Sequence, residues 1–334
     1  MNTSAQIHHP HPRRGDVFAE NLLRIEREAP KIAVETQRAT PNAAPPIRRV
    51  LVLLDGTNCA EHAIPVASEI ARRASARLQL AHADLLLGSA CNDRSFPREE
   101  AQNPHHQQRM RDYLDAFSRR LSIGDAEVLF GARGATDLAS LVGRETLVVI
   151  ATHYHGAFGG FQFGSLSERF LSLNASSILF VKGYRWPVDL HAPIAIRRIL
   201  TFLDGSAEGE RIVWSAASLT KAVSARHTLL GVVPTMPYAG IPWKEKVEEA
   251  SVYLQDWAEE LRCEQEQDST PATEIRSSDA PLPQVILAYA QQSESDVIAI
   301  TARNRSRISR LLRPEPAEYL VKYSRIPILV TRPN

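Results

Sequence analysis

The stretch VLVLLDGT, residues 50–57, contains the pattern on which the fold prediction rests. Five consecutive apolar residues are typical of a strand that is buried on both faces, and Asp-Gly-Thr forms a turn after it. A helix is predicted next, because Asn58 and Glu61 have the spacing of a capping box and a small-residue face continues to Arg77. Pro65 lies inside this helix and has no N–H, so we expect a kink there.

Strands and helices alternate through the rest of the first half. Apolar runs predict strands at 78–83, 126–130, 147–151 and 178–181, and helices are predicted at 108–121, 136–142 and 165–173. This alternation is typical of a mainly parallel sheet that is covered by helices on both faces and connected by right-handed crossovers.

The second half of the chain repeats this order, beginning with RILTFLDGS at residues 198–206. Asp204 follows Asp55 by 149 residues, and the strand at Ile328 follows that at Ile178 by 150. A near-constant offset indicates an internal duplication. The second-half elements are helices at 208–223, 244–262 and 284–292 and strands at 227–232, 296–301 and 328–331.

We therefore predict an α/β fold of two tandem Rossmann-like domains, each a five-stranded, mainly parallel sheet with helices on both faces. The first domain covers residues 47–183 and the second 197–334, with a proline-containing linker at 184–196 between them. Residues 1–46 are rich in proline and are predicted to be mostly disordered. Strands 178–181 and 328–331 are expected to pair and join the two domains, and a further homodimer stays open.

The bulk composition indicates no nucleic-acid or membrane partner, and binding to either would have to come from a local patch of charge. Among 334 residues, 39 Lys and Arg balance 38 Asp and Glu, so the net charge of +1 gives no overall attraction to nucleic acid or to an anionic membrane. No apolar run approaches the roughly 18 residues of a membrane span, and the N-terminus has no signal-peptide core. We therefore expect a soluble cytoplasmic protein with no nucleic-acid partner.

Metal and catalytic motifs are also scarce. The three cysteines, at positions 59, 91 and 263, fit neither a disulfide framework nor a zinc site. His153 and His155 are two residues apart, but no third metal ligand accompanies them, so no metal is predicted. The sequence contains no GxSxG, HExxH, Walker or GxGxxG motif, which argues against an enzyme, and no catalytic residue is predicted.

Four stretches resemble the universal stress protein family: LLDGT at 53–57, FGSLSER at 163–169, DVIAI at 296–300 and RISRLL at 307–312. The resemblance covers residues 48–333 and implies two such domains in tandem. In some members of that family, ATP or a related nucleotide binds at the carboxyl ends of the strands. An acidic residue after the first strand then meets the adenosine, and a loop G-x-x-G-(nine residues)-G-S/T holds the phosphates.

Carried over to this chain, the resemblance makes Asp55 the adenosine contact and Gly164-Ser165 the phosphate contact. Free N–H groups at a helix N-terminus favour such an anion. Ala151 and Tyr154 replace the two earlier glycines of the loop, however. Ser165 also forms a capping box with Glu168, so a purely structural role for this serine stays open. Asp55 could likewise serve only to form the turn after the first strand.

The second half departs further from the phosphate pattern. Its corresponding positions hold Thr301, Asn304 and Pro314-Glu315. The proline removes an N–H donor near the expected helix start, and the carboxylates of Glu315 and Glu318 oppose a bound phosphate. We therefore predict no triphosphate binding here, although Asp204 and Val232 keep the adenosine-side pattern.

These observations favour a stress-response or regulatory protein whose first domain binds ATP or a related adenine nucleotide weakly. In that prediction the second domain is mainly a structural partner of the first. The alternative is a protein that binds no nucleotide and acts through contacts with a protein partner. Ala151 and Tyr154 favour this alternative, because they replace the glycines that let a backbone approach phosphate.

Overall fold

The computed structural model describes residues 45–83, 104–121, 126–129, 142–143, 145–152, 177–235, 242–265, 270–302 and 315–331. All of them belong to one compact unit, Ala39–Asn334. Several predictions lie outside the described residues: the extension up to residue 44, the helix at 136–142 except its last residue, the helix at 165–173, and the histidine pair at 153 and 155.

Five strands and three helices are described in the first half. The strands are β1 (Arg49–Leu54), β2 (Arg77–Ala83), β3 (Ala126–Leu129), β4 (Thr146–Thr152) and β5 (Ile178–Lys182). The helices are α1 (Asn58–Glu61), α2 (Ala63–Ala74) and α3 (Pro104–Leu121). Strands β1 and β4 are almost wholly buried, as their continuous apolar runs predicted.

The second half contains five more strands and four helices among the described residues. The strands are β6 (Arg198–Phe202), β7 (Arg226–Val233), β8 (Ala272–Ser277), β9 (Val297–Thr301) and β10 (Ile328–Thr331). The helices are α4 (Arg211–Ala222), α5 (Trp243–Gln265), α6 (Leu282–Gln292) and α7 (Pro316–Tyr323). Strand β8 was not predicted at the level of the sequence. Its four central residues are only half-buried, so it lacks a continuous apolar run.

The ten strands form one sheet in the order β3-β2-β1-β4-β5-β10-β9-β6-β7-β8. All described strand pairs are parallel except β5 with β10, which are antiparallel with Leu179 opposite Leu329. The predicted pairing of the two late strands is thus confirmed. It also means that the two sets of five strands form one continuous mixed sheet and not two separate sheets.

Apolar side chains cover both faces of this sheet. Helices α2 to α5 pack on one face, against residues such as Val52 and Leu329. Helices α6 and α7 pack on the other face, against residues such as Leu51 and Ile298. Because alternate side chains of each central strand enter opposite clusters, each such strand must be apolar throughout.

The first helix differs in detail from the prediction. Thr57, and not Asn58, caps α1, since its hydroxyl accepts the N–H of Ala60 at 3.3 Å. The helix is interrupted at His62, between α1 and α2. Pro65 explains the interruption, because it cannot donate to the carbonyl four residues earlier and its ring crowds that carbonyl.

Local features recur at the offset of 149 residues. Ser75 ends α2 with a φ of 50°, and Ser224 follows α4 with a φ of 47°. The N–H of Arg77 donates to the carbonyl of Arg48 at 2.9 Å, and the corresponding bond from Arg226 measures 2.7 Å. The left-handed conformation of Ser75 terminates α2, so the helix ends before Arg77, to which the sequence had predicted it to continue.

Residues 184–196 contain neither helix nor strand. Arg73 of α2 donates through Nη1 to the carbonyl of Ile196 at 3.0 Å, which holds the end of this segment against the first half. Just before the segment, Lys182 of β5 donates through Nζ to the carbonyl of Lys322 in α7 at 2.9 Å. These bonds connect the two halves in addition to the β5–β10 pairing.

Candidate functional site

The turn after β1 contains the predicted ligand residue Asp55. Its Oδ1 accepts the backbone N–H of Thr57 at 2.9 Å and the hydroxyl of Thr57 at 2.6 Å. Gly56, between them, has a φ of 80°, in the left-handed region that glycine adopts without strain. Asp55 therefore has the turn-forming role that the sequence had left open.

The turn after β6 has the same geometry. Oδ1 of Asp204 accepts the N–H and the hydroxyl of Ser206 at 3.0 and 2.6 Å, and Gly205 has a φ of 76°. The Ser206 hydroxyl in turn accepts the N–H of Gly209 at 3.0 Å. Because both halves share this arrangement, the aspartate alone does not distinguish a ligand site from a structural turn.

Side chains from β2 and α3 lie on one side of the first turn. A Cβ placed on Gly56 would lie 3.7 Å from Nε2 of His82 and 3.8 Å from Sδ of Met110, so both side chains lie beside this exposed turn. His82 is 1% exposed, and its ring is edge-on to that of Tyr113, with 6.5 Å between the centroids. The structure thus places His82 and Met110 beside the turn that contains Asp55, and the sequence had assigned neither residue to a site.

A tyrosine–glutamate hydrogen bond connects α3 to α1. Tyr113 donates through its hydroxyl to Oε1 of Glu61 at 3.0 Å. Burial raises the pKa of Glu61, although the bond from Tyr113 acts in the opposite direction. Burial, followed by the nearby charge of Glu61, raises the pKa of Tyr113. An equivalent bond joins Tyr253 to Glu210 at 3.2 Å in the second half.

A cleft of about 130 Å³ opens in the second half at the carboxyl ends of β6 and β9. The strand order reverses between these two strands, which is where open α/β sheets usually bind ligands. Both apolar and carboxylate side chains line the cleft: Phe202, Asp204, Gly209, Leu282, Ile300, Thr301, Glu315 and Pro316.

Glu315 contributes a buried carboxyl group to this cleft. It is 2% exposed and immediately precedes α7, whose first residue is Pro316. The helix therefore starts two residues later than Pro314, near which the sequence had placed it. A carboxylate at a helix N-terminus is favoured by the helix dipole and occupies the position that would otherwise attract a phosphate.

The remaining predicted residues fall into two groups. Ala151, at a position where the phosphate pattern has glycine, is buried inside β4, so it belongs to the sheet and not to a loop. Thr301, at the corresponding place in β9, donates its hydroxyl to the carbonyl of Gly209 at 3.0 Å. Tyr154 and the predicted phosphate contact Gly164-Ser165 lie outside the described residues.

Two further properties concern the part of the chain that the structure describes. No three His, Cys, Asp or Glu side chains in those ranges converge as metal ligands. None of the helices described is long and apolar enough to span a membrane.

The architecture defines a class of protein. A mainly parallel sheet with helices on both faces, and a cleft where the strand order reverses, is the arrangement of Rossmann-like α/β proteins. Within that class, residues 195–332 match the sequence model of the Universal stress protein family. No curated protein sequence matches the chain.

Two solved structures have a similar fold. A universal stress protein from Archaeoglobus fulgidus DSM 4304 is 12% identical with a TM-score of 0.58, and the match covers 86% of this chain and 98% of that one. A functionally unknown protein from Pseudomonas aeruginosa PAO1 is 17% identical with a TM-score of 0.54, covering 86% and 93%. At such low identities the similarity shows the fold alone.

Proposed function

We propose that the chain is a regulatory protein of the universal stress protein type, composed of two such domains at residues 47–183 and 197–334. The family match at residues 195–332 supports the second domain. The repeated turn, the repeated tyrosine–glutamate bond and the matching strand order support a first domain of the same kind.

In this proposal the first domain binds an adenine nucleotide weakly, at the carboxyl end of β1. The observation that carries the proposal is the placement of Asp55 at that strand end, next to β4, where the strand order reverses. Gly164-Ser165 would supply the phosphate contact that the family resemblance implies. No metal ion is required by the proposal.

The second domain is proposed to bind no nucleotide. Its cleft of about 130 Å³ is smaller than the 300–1,000 Å³ that is usual for pockets holding drug-sized ligands. The buried carboxylate of Glu315 at the start of α7 would also repel the phosphates. This domain would then stabilise the first through the continuous sheet.

Calorimetric titration with ATP, ADP and AMP tests this proposal. The substitution Asp55→Asn removes the charge but keeps an oxygen for the turn, so we expect weaker binding without loss of folding. Asp204→Asn is the matched control in the second half and should leave the affinity unchanged. Absence of binding at millimolar nucleotide, or equal effects of the two substitutions, would contradict a site in the first domain.

We also propose that the protein acts in the cytoplasm as a binding protein and not as an enzyme. Incubation with ATP should then release no phosphate above the rate in buffer. Phosphate release that is proportional to protein concentration and survives repeated purification would overturn this part of the proposal.

An exposed aromatic patch favours the second candidate function, an interaction protein without nucleotide. Trp186 is 60% exposed and stacks on Tyr184 with 4.5 Å between ring centroids and 14° between the planes. A ring nitrogen of His62 lies 3.0 Å from the carbonyl of Trp186, which fixes the segment. Exposed and rigid aromatic side chains are typical of protein interfaces.

Light scattering tests whether this patch joins two copies of the chain. A homodimer through the patch predicts twice the chain mass of 37.1 kDa for the wild type and the single mass for Trp186→Ser. A wild-type monomer, or a dimer that survives the substitution, would exclude this use of the patch.

A further inference from the structure

Strand β8 is the last strand at one end of the sheet, and none of the described strands pairs with its outer edge. It runs parallel to β7, and the N–H of Ser278 donates to the carbonyl of Val233 at 3.1 Å. Because backbone groups point alternately to the two sides of a strand, those of Thr273, Ile275 and Ser277 face the outer edge. Such an edge is a template for pairing with a further strand.

Two opposite charges lie on one face of this edge strand. Nη2 of Arg276 lies 3.8 Å from Oε2 of Glu274, and the two side chains are 40% and 42% exposed. This distance is longer than a hydrogen bond, so each charge can still bond to a second partner. The guanidinium of Arg276 also lies over the ring of Tyr289 in α6, with 4.6 Å from Cζ to the centroid. Ile275 points to the opposite face and packs against the cluster that contains Leu254 of α5.

We propose that β8 pairs with β8 of a second copy of this chain, antiparallel about a twofold axis at Ile275. In this register Glu274 lies opposite Arg276 of the second copy, and Thr273 lies opposite Ser277. The residues whose backbone groups face outward then form the hydrogen-bonded pairs. The charged residues form the closer pairs between them, where opposite charges attract. The result is a symmetric interface and a continuous sheet with ten strands from each copy.

The charges select both this register and this edge. A twofold axis at residue 274 or 276 would keep the outward-facing residues paired, but it would place Glu274 or Arg276 opposite its own copy. Like charges that lie directly opposite each other are destabilising. The strand at the other end of the sheet, β3, contains one charged residue, Glu127, and therefore cannot form two complementary pairs with itself.

Charge reversal at either position tests the pairing by light scattering. The wild type should have twice the chain mass of 37.1 kDa, whereas Glu274→Arg and Arg276→Glu, which place like charges opposite each other, should each have the single mass. An equimolar mixture of the two variants should regain the double mass, because each reversed charge then faces its complement on the other chain. Misfolding of a variant would not produce this recovery.

Two control variants separate β8 from other surfaces. Glu145→Arg reverses a charge that is 48% exposed and pairs with Arg48 at 3.2 Å in the first half. This variant and Trp186→Ser should keep the double mass, since neither residue belongs to β8. A wild-type monomer at submillimolar concentration, a dimer in either β8 variant, or a mixture that stays monomeric would overturn the proposal. Loss of the dimer in Trp186→Ser would also overturn it, by placing the contact at the aromatic patch.

Discussion

A buried histidine in the second half should make the stability of the protein depend on pH. His227 at the start of β7 is 7% exposed, and its Nε2 lies 2.7 Å from the hydroxyl of Thr201 in β6. Burial lowers the pKa of this imidazole from its ordinary value of 6.5 to about 4. The folded protein therefore holds the ring in its neutral form at neutral pH.

The sign and size of the effect follow from this shift. The unfolded chain takes up a proton as the pH falls through 6.5, whereas the folded protein takes it up only near pH 4. The contribution of the neutral His227 ring to the free energy of unfolding is therefore fully present above pH 6.5 and is lost as the pH falls through 4. One pKa unit corresponds to about 1.4 kcal/mol, so the total loss is about 3 kcal/mol.

The corresponding residues of the first half suggest a control variant that lacks the buried histidine. Val52 and Leu78 occupy the positions that correspond to Thr201 and His227, so the double variant Thr201→Val/His227→Leu copies a pair that the fold already accommodates. Replacing both members of the hydrogen bond leaves no unpaired polar group.

Urea unfolding of the wild type and of the double variant between pH 7.5 and 4 measures how much stability the buried histidine costs as the pH falls. Other groups also titrate in this range, so the comparison is between the two proteins at each pH. The free energy of unfolding of the wild type should fall about 3 kcal/mol further than that of the double variant. Parallel curves would show that His227 is not buried in its neutral form, and the reasoning would be refuted.

Three further predictions concern folding stability, each measured by urea unfolding at pH 7. Gly183→Ala places a Cβ onto the sulfur of the buried Cys59, so the free energy of unfolding should fall by about 2 kcal/mol. Gly205→Ala has space for its Cβ but a positive φ, and we expect a loss of about 1 kcal/mol. Asp296→Ala removes the carboxylate that accepts two N–H groups at the start of β6, at 2.7 and 2.9 Å, and should lower stability by about 2 kcal/mol.

Much of the fold could be predicted because the central strands have a simple physical signature. A strand buried on both faces needs apolar residues throughout, and β1, β4 and β9 are recognisable for that reason. Strand β8 lies at the edge of the sheet, and its partly exposed sequence ATEIRS lacks such a run. Only Ala272 and Ile275 of its six residues are apolar, and they lie on opposite faces of the strand, so the sequence shows neither a run nor an alternation.

The surroundings of the site were much less predictable. Asp55 is recognisable because it follows a buried strand, but its neighbours come from elements that follow later in the chain. Glu61 and Tyr113 are 52 residues apart, and the sequence between them contains no pattern that predicts their contact. The nearest signal was the recurrence of glutamate at 61 and 210, at the same offset as the two aspartates.

The two halves have thus diverged around a turn that both retain. In the first half, Gly56 and Thr57 of the aspartate turn are exposed, and the Met110 side chain lies beside the turn. In the second half, Gly205 and Ser206 are half-buried, and Glu315 places a buried carboxyl group in the adjacent cleft. A carboxylate in the cleft repels a phosphate, whereas the turn of the first half is exposed at the end of β1. This difference is why we propose nucleotide binding for the first half alone.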